Sequence, residues 1–182
     1  MRIIAGRAKG TKLFTPAGQS TRPTPDRVKE SLFNIIADRI PGCRFLDLFA
    51  GSAAMGLEAL SREACRAVFV ESRRQSVDVI RRNIEKVNFV GSSQVLPMEA
   101  DKALRFLSDD GQEFDIIYID PPYGSDLAGK AIDLIVERDI LAENGLLIYE
   151  RGVSDVELKN SALTIFRQKK YGDTILDFMR RE

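Results

Sequence analysis

The 182-residue chain contains no histidine and only two cysteines, Cys43 and Cys65. The absence of histidine excludes Ser-His-Asp and Cys-His catalysis, and histidine-ligated metal sites, within this chain. The two thiols have no CxxC partner for a zinc site, and a reducing compartment would keep them free of a disulfide. We therefore expect no metal, and any chemistry must use carboxylates, backbone groups, aromatic rings, hydroxyls or a bound cofactor.

Long hydrophobic runs are also missing. No apolar stretch approaches the ~20 residues that a membrane helix needs, and no apolar segment of signal-peptide length follows Arg2. Hydrophobic residues make up 44% and charged residues 30% of the chain, an ordinary globular composition. We expect one domain over residues 1–182, with residues 1–22 as a basic N-terminal extension, located in the cytoplasm and without a membrane partner.

Acidic residues are missing from the first 25 positions, although the whole chain is formally neutral. Residues 1–44 hold nine basic and three acidic residues, a net charge of +6. A basic segment on a neutral protein is typical of a protein that binds a polyanion. The alternative is a solvated surface strand that binds nothing.

The chain alternates between strand and helix patterns. Residues 1–22 carry short β-prone pieces with glycines and predict a small hairpin or ribbon. A helix follows, with Thr24 as its N-cap and Pro25 in its first turn, and it ends at Pro41-Gly42. The last two β-prone runs, 163–171 and 174–181, predict an antiparallel hairpin. Between these ends the pattern predicts strands at 44–50, 67–71, 93–100, 114–120 and 145–150, and helices at 54–63, 75–87, 102–107 and 128–138.

This alternation predicts an α/β fold, in which helices cover both faces of a mostly parallel sheet. Such a sheet binds ligands at the carboxyl ends of its strands. A single acid at a strand end means little, because strand ends are often exposed and polar. Four acids at one edge indicate a binding site, and four fall at or near predicted strand ends: Asp47, Glu71, Asp101 and Asp120.

The first strand runs into a glycine-containing turn and a helix, in the sequence LDLFAGSAAMGLEAL. Gly51 allows a ligand to approach the backbone closely, and free N–H groups at the helix start can receive a negative group. A dinucleotide fingerprint needs a glycine where Ala53 stands. S-adenosylmethionine is the other candidate, with its carboxylate at the helix start and its ammonium group near Asp47. A tight turn without any ligand is the third interpretation.

Two further acids suit the nucleoside part of either cofactor. Glu71, at the end of the second strand, can accept hydrogen bonds from both hydroxyls of a ribose. Asp101, after the third strand, can accept one from an adenine amine. These two residues do not separate the two cofactors.

The fourth strand ends in Asp120-Pro121-Pro122-Tyr123. An amine on a nucleobase is a poor nucleophile because its lone pair is delocalised into the ring. The Asp120 carboxylate and the Pro121 carbonyl can accept hydrogen bonds from the two N–H groups of this amine. The proline rings fix the direction of the carbonyl, so that the lone pair is aimed at a methyl donor. Tyr123 offers a face for stacking of a flipped or single-stranded base. The other interpretation is a strand terminator followed by a turn.

The combination of DLFAGS on the first strand with DPPY on the fourth resembles the S-adenosylmethionine-dependent amino-methyltransferases. The segments MRIIAGRAKGTKL, RPTPDRVKESLFN, FLDLFAGS and GLEALSR narrow the resemblance to the RsmD family, which are bacterial 16S rRNA (guanine-N2)-methyltransferases. The similarity continues through VFVE, FDIIYIDPPY, GLLIYE and KKYGDT. The N-terminal block is the specific part, because many methylases share the other two motifs.

The resemblance implies a Rossmann-like class I methyltransferase with a seven-stranded, mostly parallel sheet and an antiparallel last strand. It implies S-adenosyl-L-methionine as cofactor, and as partner 16S rRNA within the small ribosomal subunit or an assembly intermediate. It assigns catalysis to Asp120, Pro121, Pro122 and Tyr123. It assigns cofactor binding to Asp47, Phe49, Ala50, Gly51, Ser52, Glu71, Asp101, Arg22 and Thr24, and RNA binding to Arg2, Arg7, Lys9 and Lys12.

One position departs from the family pattern, which has Gly-Ser-Gly where this chain has Gly51-Ser52-Ala53. The extra methyl group of Ala53 either crowds the cofactor or packs in the first helical turn. Alternatives to an rRNA guanine-N2 methyltransferase are an adenine-N6 methylase, a catalytically silent RNA-binding or assembly factor, and an NAD-dependent oxidoreductase. The chain has little room for the target-recognition region of adenine methylases. The missing middle glycine argues against NAD.

Overall fold

The structure, a computed structural model, describes residues 1–16, 26–122, 124–155, 157–158 and 160–181. Within them, seven strands form one sheet. The strands are β1 Arg44–Leu48, β2 Arg66–Val70, β3 Ser93–Leu96, β4 Phe114–Ile119, β5 Leu141–Gly152, β6 Leu163–Tyr171 and β7 Thr174–Arg181. The helices are α1 Asp26–Ile35, α2 Ala54–Ser61, α3 Arg74–Lys86, α4 Ala100–Asp109 and α5 Leu127–Glu137, with single 3-10 turns at Ala37–Arg39 and Val90–Ser92.

The strand order is β3-β2-β1-β4-β5-β7-β6. Neighbouring strands from β3 to β5 run parallel, whereas β7 is antiparallel to both β5 and β6. The loop between β6 and β7 is Gly172-Asp173, and Gly172 takes the positive φ of 59° that a tight hairpin turn favours. The predicted fold class, a mostly parallel seven-stranded sheet with an antiparallel last strand, is confirmed.

Both faces of the sheet are buried, which explains why its strands read as continuous apolar runs. Side chains that alternate along each strand point to opposite faces. On one face Phe45 and Phe69 pack against α1, α2 and α3. On the other, Leu46 and Val68 pack against α4 and α5. No helix of the described residues is long and apolar enough to cross a membrane.

Several predicted boundaries were wrong. The first helix ends at Ile35 and not at Pro41-Gly42, with a 3-10 turn at Ala37–Arg39 between them, and two strand boundaries differ by four residues. The third strand ends at Leu96 and not at residue 100, because Pro97 has no N–H to donate to the ladder, and α4 begins at Ala100. The fifth strand begins at Leu141, before the predicted residue 145. An irregularity in its pairing with β4 lets polar, exposed residues sit inside the strand, so the hydrophobic pattern hides its start.

Within the described residues 1–16, the predicted N-terminal ribbon is short. Arg2 and Lys12 form an antiparallel bridge, beside which the Ile3 N–H donates to the Thr11 carbonyl at 3.0 Å and the Leu13 N–H to the Met1 carbonyl at 3.1 Å. The segment also bonds to side chains of α2. The buried Glu58 carboxylate accepts the backbone N–H groups of Ile4 and Ala5 at 2.8 and 3.0 Å. The Ser61 hydroxyl donates to the Ala5 carbonyl and accepts the N–H of Ala8. These bonds fix the segment to the domain because a buried backbone group needs a partner.

A buried ion pair supports the same attachment. Lys29 of α1 is 1% exposed, and its Nζ lies 3.2 Å from Oε2 of Glu58 and donates to the Arg2 carbonyl. Burial lowers the pKa of Lys29, and the charge of Glu58 opposes that shift. Because Glu58 also pairs with Arg62 at 2.8 Å, it is removal of Glu58 that would leave a buried charge, that of Lys29, without a described ionic partner.

The backbone of Gly6 lies close to the end of α2. Gly6 has a φ of +78°, and an ideal Cβ position there would be only 1.8 Å from the Ser61 carbonyl oxygen. We predict that Gly6→Ala lowers the free energy of unfolding, measured by urea denaturation, by clearly more than the ~1–2 kcal/mol of left-handed strain alone. Gly10→Ala is the matched control, because Gly10 has a φ of +85° with no described atom within 4 Å of its Cβ position. Equal losses in the two variants would show that the close approach contributes nothing.

Candidate active site

A cleft of about 740 Å³ lies where β1, β2 and β4 end, within the size range of ligand sites. The crossover loops that leave these three parallel strands emerge at the same edge of the sheet, which brings their residues together. The cleft lining includes the following predicted site residues: Asp47, Phe49, Ala50, Gly51, Ser52, Glu71, Asp101, Asp120, Pro121 and Pro122. The structure therefore brings into one cleft the acids that the sequence placed at separate strand ends.

The loop between β1 and α2 alternates in backbone handedness. Phe49, Gly51 and Ala53 have φ values of 68°, 55° and 66°, and two of the three are not glycine. Left-handed residues other than glycine are strained and concentrate at functional sites. The loop is held by the Ala50 N–H, which donates to the Val70 carbonyl at 2.9 Å.

Ala53 itself faces away from the cleft. It is 0% exposed, packs in the hydrophobic core on the α1–α3 side of the sheet, and is not among the residues that line the cleft. Its left-handed φ gives the physical reason for a glycine at this position in the family pattern. Of the two possibilities open from the sequence, the methyl group packs and does not crowd the cleft.

Glu71 joins the ends of β1 and β2. Its carboxylate is buried and accepts the backbone N–H of Gly51 at 3.1 Å through Oε2 and that of Arg73 at 2.9 Å through Oε1. The Arg73 side chain also lies 3.4 Å from Oε1. Oε2 accepts one described donor and has a second lone pair, so Glu71 can also accept from a ligand hydroxyl in the cleft.

Asp47 is 2% exposed, and its Oδ2 accepts the N–H of Gly56 at 2.9 Å. Burial raises the pKa of Asp47 to about 7, a shift that the Gly56 hydrogen bond opposes and the charge of Glu71 increases. Gly56 is needed for this contact, because a Cβ there would come within 2.3 Å of the Phe69 ring. A cation in the cleft would stabilise the ionised form of Asp47.

Asp120 belongs to a group of acids on one face of the sheet. Asp47 pairs with Tyr118 across β1 and β4, and Asp120 follows two residues later on the same face. Because Ile119 pairs with Tyr149 on β5, Glu150 is the residue beside Asp120. Burial raises the pKa of the half-buried Asp120 well above its ordinary range, and the charges of Glu150 and Asp47 raise it further.

Glu150 and Tyr118 are the residues that the sequence analysis missed. The Tyr118 hydroxyl donates to Oε2 of Glu150, and both side chains are buried. The available signal was the place of Glu150 at the end of the fifth predicted strand. Among the residues that the structure describes, no group of three or more Asp, Glu or Cys side chains could hold a metal ion.

The remaining predicted residues lie elsewhere. Arg22, Thr24 and Tyr123 fall outside the described residues. Arg2 pairs with Asp26 at 3.2 Å, and Arg7 donates to the Leu60 carbonyl with its guanidinium 5.2 Å from the Phe89 ring. With the exposed Lys9 and Lys12, they lie on the N-terminal segment, outside the cleft lining.

One protein family matches the chain over nearly its whole length. The family model described as Conserved hypothetical protein 95 matches residues 1–180. The chain is 34% identical to ribosomal RNA small subunit methyltransferase D of Escherichia coli (strain K12), over 100% of this chain and 90% of that protein. It is 34% identical to the protein of that name from Haemophilus influenzae, over 94% and 89%. A solved structure of a hypothetical protein from Thermus thermophilus matches with a TM-score of 0.84 at 31% identity, covering 99% of each chain.

The position of Ala53 leads to a prediction about binding of S-adenosylmethionine, the cofactor expected from the sequence. We expect Ala53→Gly to leave the affinity unchanged in calorimetry. Relief of ~1–2 kcal/mol of left-handed strain is offset by loss of a buried methyl group, ~0.8 kcal/mol, and by a more flexible unfolded chain. The free energy of unfolding should therefore change by less than about 1 kcal/mol.

Gly51→Ala is the contrasting variant. Gly51 lines the cleft, and the nearest described atom to its Cβ position is the Phe49 carbonyl oxygen at 4.0 Å, so an added methyl group would face open space in the cleft. We expect this variant to weaken cofactor binding. Tenfold tighter binding by Ala53→Gly would mean that the Ala53 methyl group does crowd the cleft.

Proposed function

We propose that this chain, which belongs to the Conserved hypothetical protein 95 family, the RsmD family, methylates a guanine in 16S rRNA. The methyl group is transferred to the exocyclic N2 of that guanine. The predicted family membership is confirmed by the match over residues 1–180. The observation that carries the proposal is that Asp120-Pro121-Pro122, at the end of β4, opens into the same cleft as the β1–α2 loop and Glu71.

The residues of the cleft fit S-adenosylmethionine. Glu71 is placed to accept the ribose hydroxyls and Asp101 the adenine amine, while the Phe49–Ser52 backbone would hold the amino-acid end. The buried Asp47 offers a negative charge toward the ammonium group. When bound, this cofactor supplies an electrophilic methyl group on a sulfonium. Arg22 and Thr24 stay predicted contributors to the same site.

The chain's own residues would prepare the amine. The Asp120 carboxylate and the Pro121 carbonyl accept hydrogen bonds from the two N–H groups of the amine. These bonds draw the nitrogen toward tetrahedral geometry and direct its lone pair into the cleft. Methylation makes the amine cationic, so that its proton leaves readily. Asp120, whose pKa is raised by burial and by Glu150, is a suitable acceptor for that proton. Such a site needs no histidine, in agreement with the composition.

The best support for the catalytically silent alternative is Ala53, whose extra methyl group could weaken cofactor binding if it crowded the cleft. Because that methyl group packs in the core, this argument no longer supports a silent factor. The alternative of an adenine-N6 methylase is tested by the experiment below. We also propose that the substrate is the small ribosomal subunit or an assembly intermediate.

The defining experiment incubates the protein with radiolabelled S-adenosylmethionine and undermethylated small subunits, followed by nucleoside analysis. We expect label in N2-methylguanosine. Label in adenosine only, or no label with protein whose fold has been verified, would contradict the proposal. A parallel reaction with naked 16S rRNA decides between the two forms of the substrate, since the preferred one is labelled faster.

The role of Asp120 predicts the effect of its removal. Asp120→Ala should abolish turnover and leave cofactor affinity nearly intact, because the carboxylate acts on the amine and not on the cofactor. Asp109→Ala, which removes an exposed carboxylate at the end of α4, serves as the control and should retain full activity. A loss of turnover below tenfold in Asp120→Ala would rule out Asp120 as the acceptor.

The neighbouring charge predicts a pH effect. The carboxylate form of Asp120 is the active one, so methyl transfer should rise with pH through the raised pKa of Asp120. Glu150→Gln keeps an acceptor for the Tyr118 hydroxyl but removes the charge that raises this pKa. The pH of half-maximal rate in single turnovers should therefore move down in this variant. A shift of this pH in the opposite direction, or no shift, would show that the charge of Glu150 does not raise the pKa of Asp120.

A further inference from the structure

Phe14 is an exposed aromatic residue whose backbone is held on both sides. Its N–H donates to Oδ1 of Asn83 at 2.8 Å, and its carbonyl accepts from Nδ2 of Asn83 at 2.9 Å. Asn83 is fully buried in α3. The Phe14 residue is nevertheless 39% exposed. A ring on a fixed backbone loses little conformational entropy when a ligand stacks on it.

Two cationic side chains from α3 lie close to this ring. The Arg82 guanidinium carbon lies 4.3 Å and Lys86 Nζ lies 4.4 Å from the ring centroid, and the two residues are i and i+4 on one helix face. Lys86 also donates to the Lys12 carbonyl at 2.7 Å, which places a basic residue of the N-terminal segment nearby. Aromatic rings beside basic side chains are the usual composition of sites for single-stranded nucleic acids.

The position of the ring relates it to the cleft. The next two residues after Phe14, Thr15 and Pro16, line the cleft. Asn83, which holds the Phe14 backbone, also donates to the carbonyl of Ser52 at 2.9 Å, and Ser52 lies in the β1–α2 loop. One buried amide therefore fixes both the proposed cofactor loop and the exposed ring at the rim of the same cleft.

We propose that Phe14, Arg82, Lys86 and Lys12 form a subsite for an unpaired nucleotide of the RNA substrate. The base stacks on the exposed part of the Phe14 ring, and the basic side chains contact the adjoining phosphates. Stacking on a ring tolerates any base, and proteins recognise RNA mainly at unpaired bases in loops and bulges. The identity of the polyanion rests on the proposed function, whereas the subsite is argued from its own contacts.

The test measures binding of a fluorescein-labelled single-stranded RNA of about 20 nucleotides by anisotropy, with the duplex of the same sequence as a second probe. Phe14→Leu keeps an apolar side chain but removes the π face. We expect it to weaken single-strand binding by about 5- to 150-fold, the range for loss of one stacked base. Duplex binding should change far less, because paired bases are not free to stack on the ring.

The two cations of α3 are tested through the salt dependence of RNA binding. Arg82→Gln with Lys86→Gln should reduce the slope of log K against log salt by about 1 to 1.5, because each phosphate contact on a single strand contributes about 0.7. The matched controls are Phe166→Leu and Arg180→Gln. They change another exposed aromatic ring with an arginine 5.3 Å from its centroid, on the β6–β7 hairpin at the far edge of the sheet. Neither control should alter RNA binding.

Several outcomes would overturn the inference. Wild-type protein that does not bind the single strand, or Phe14→Leu that binds it like the Phe166→Leu control, removes the stacking subsite. An equal loss for single strand and duplex, or a parallel loss of S-adenosylmethionine affinity in calorimetry, assigns the ring a structural role only. A failure of the methylation assay alongside a selective Phe14→Leu effect contradicts the proposed activity and leaves the subsite standing.

Discussion

The parallel pairing of β1 with β4 is the contact on which the rest of the site depends. It places Asp47 opposite Tyr118, so the loop after β1 and the Asp120 turn after β4 open into one cleft. Parallel strands present their carboxyl ends at one edge, and a shift of one residue would turn every acid to the other face. The hydrophobic layers on both faces fix that register.

That register also concentrates negative charge. Asp47, Asp120 and Glu150 share one face of the sheet. Burial raises the pKa of both aspartates, and the charge of Glu71 raises that of Asp47 further, while the charges of Glu150 and Asp47 raise that of Asp120. A cluster of this kind is unfavourable for folding unless protons or cations accompany it. The same property suits a cleft that receives a cationic cofactor and a departing proton. The left-handed residues of the β1–α2 loop add backbone strain at the same edge.

The N-terminal segment extends the cleft outward. Its attachment depends on buried side chains of α2 and α3, chiefly Glu58, Ser61 and Asn83, and not on a strand ladder. Asn83 has a double role because it bonds both Phe14 and Ser52. The proposed cofactor loop and the proposed RNA subsite are thus joined through one amide.

Sequence alone determined the element order, the α/β class and the acids of the cleft, because strand and helix periodicity and strand-end position are local properties. It also determined the family, through motifs that stay contiguous in the chain. The folded chain was needed to show that Ala53 faces the core, that Glu150 lies beside Asp120 and that the short N-terminal ribbon is attached through side chains of α2 and α3. Each of these depends on which distant residues meet, and no pattern along the chain records the register of strands or the partner of a buried amide.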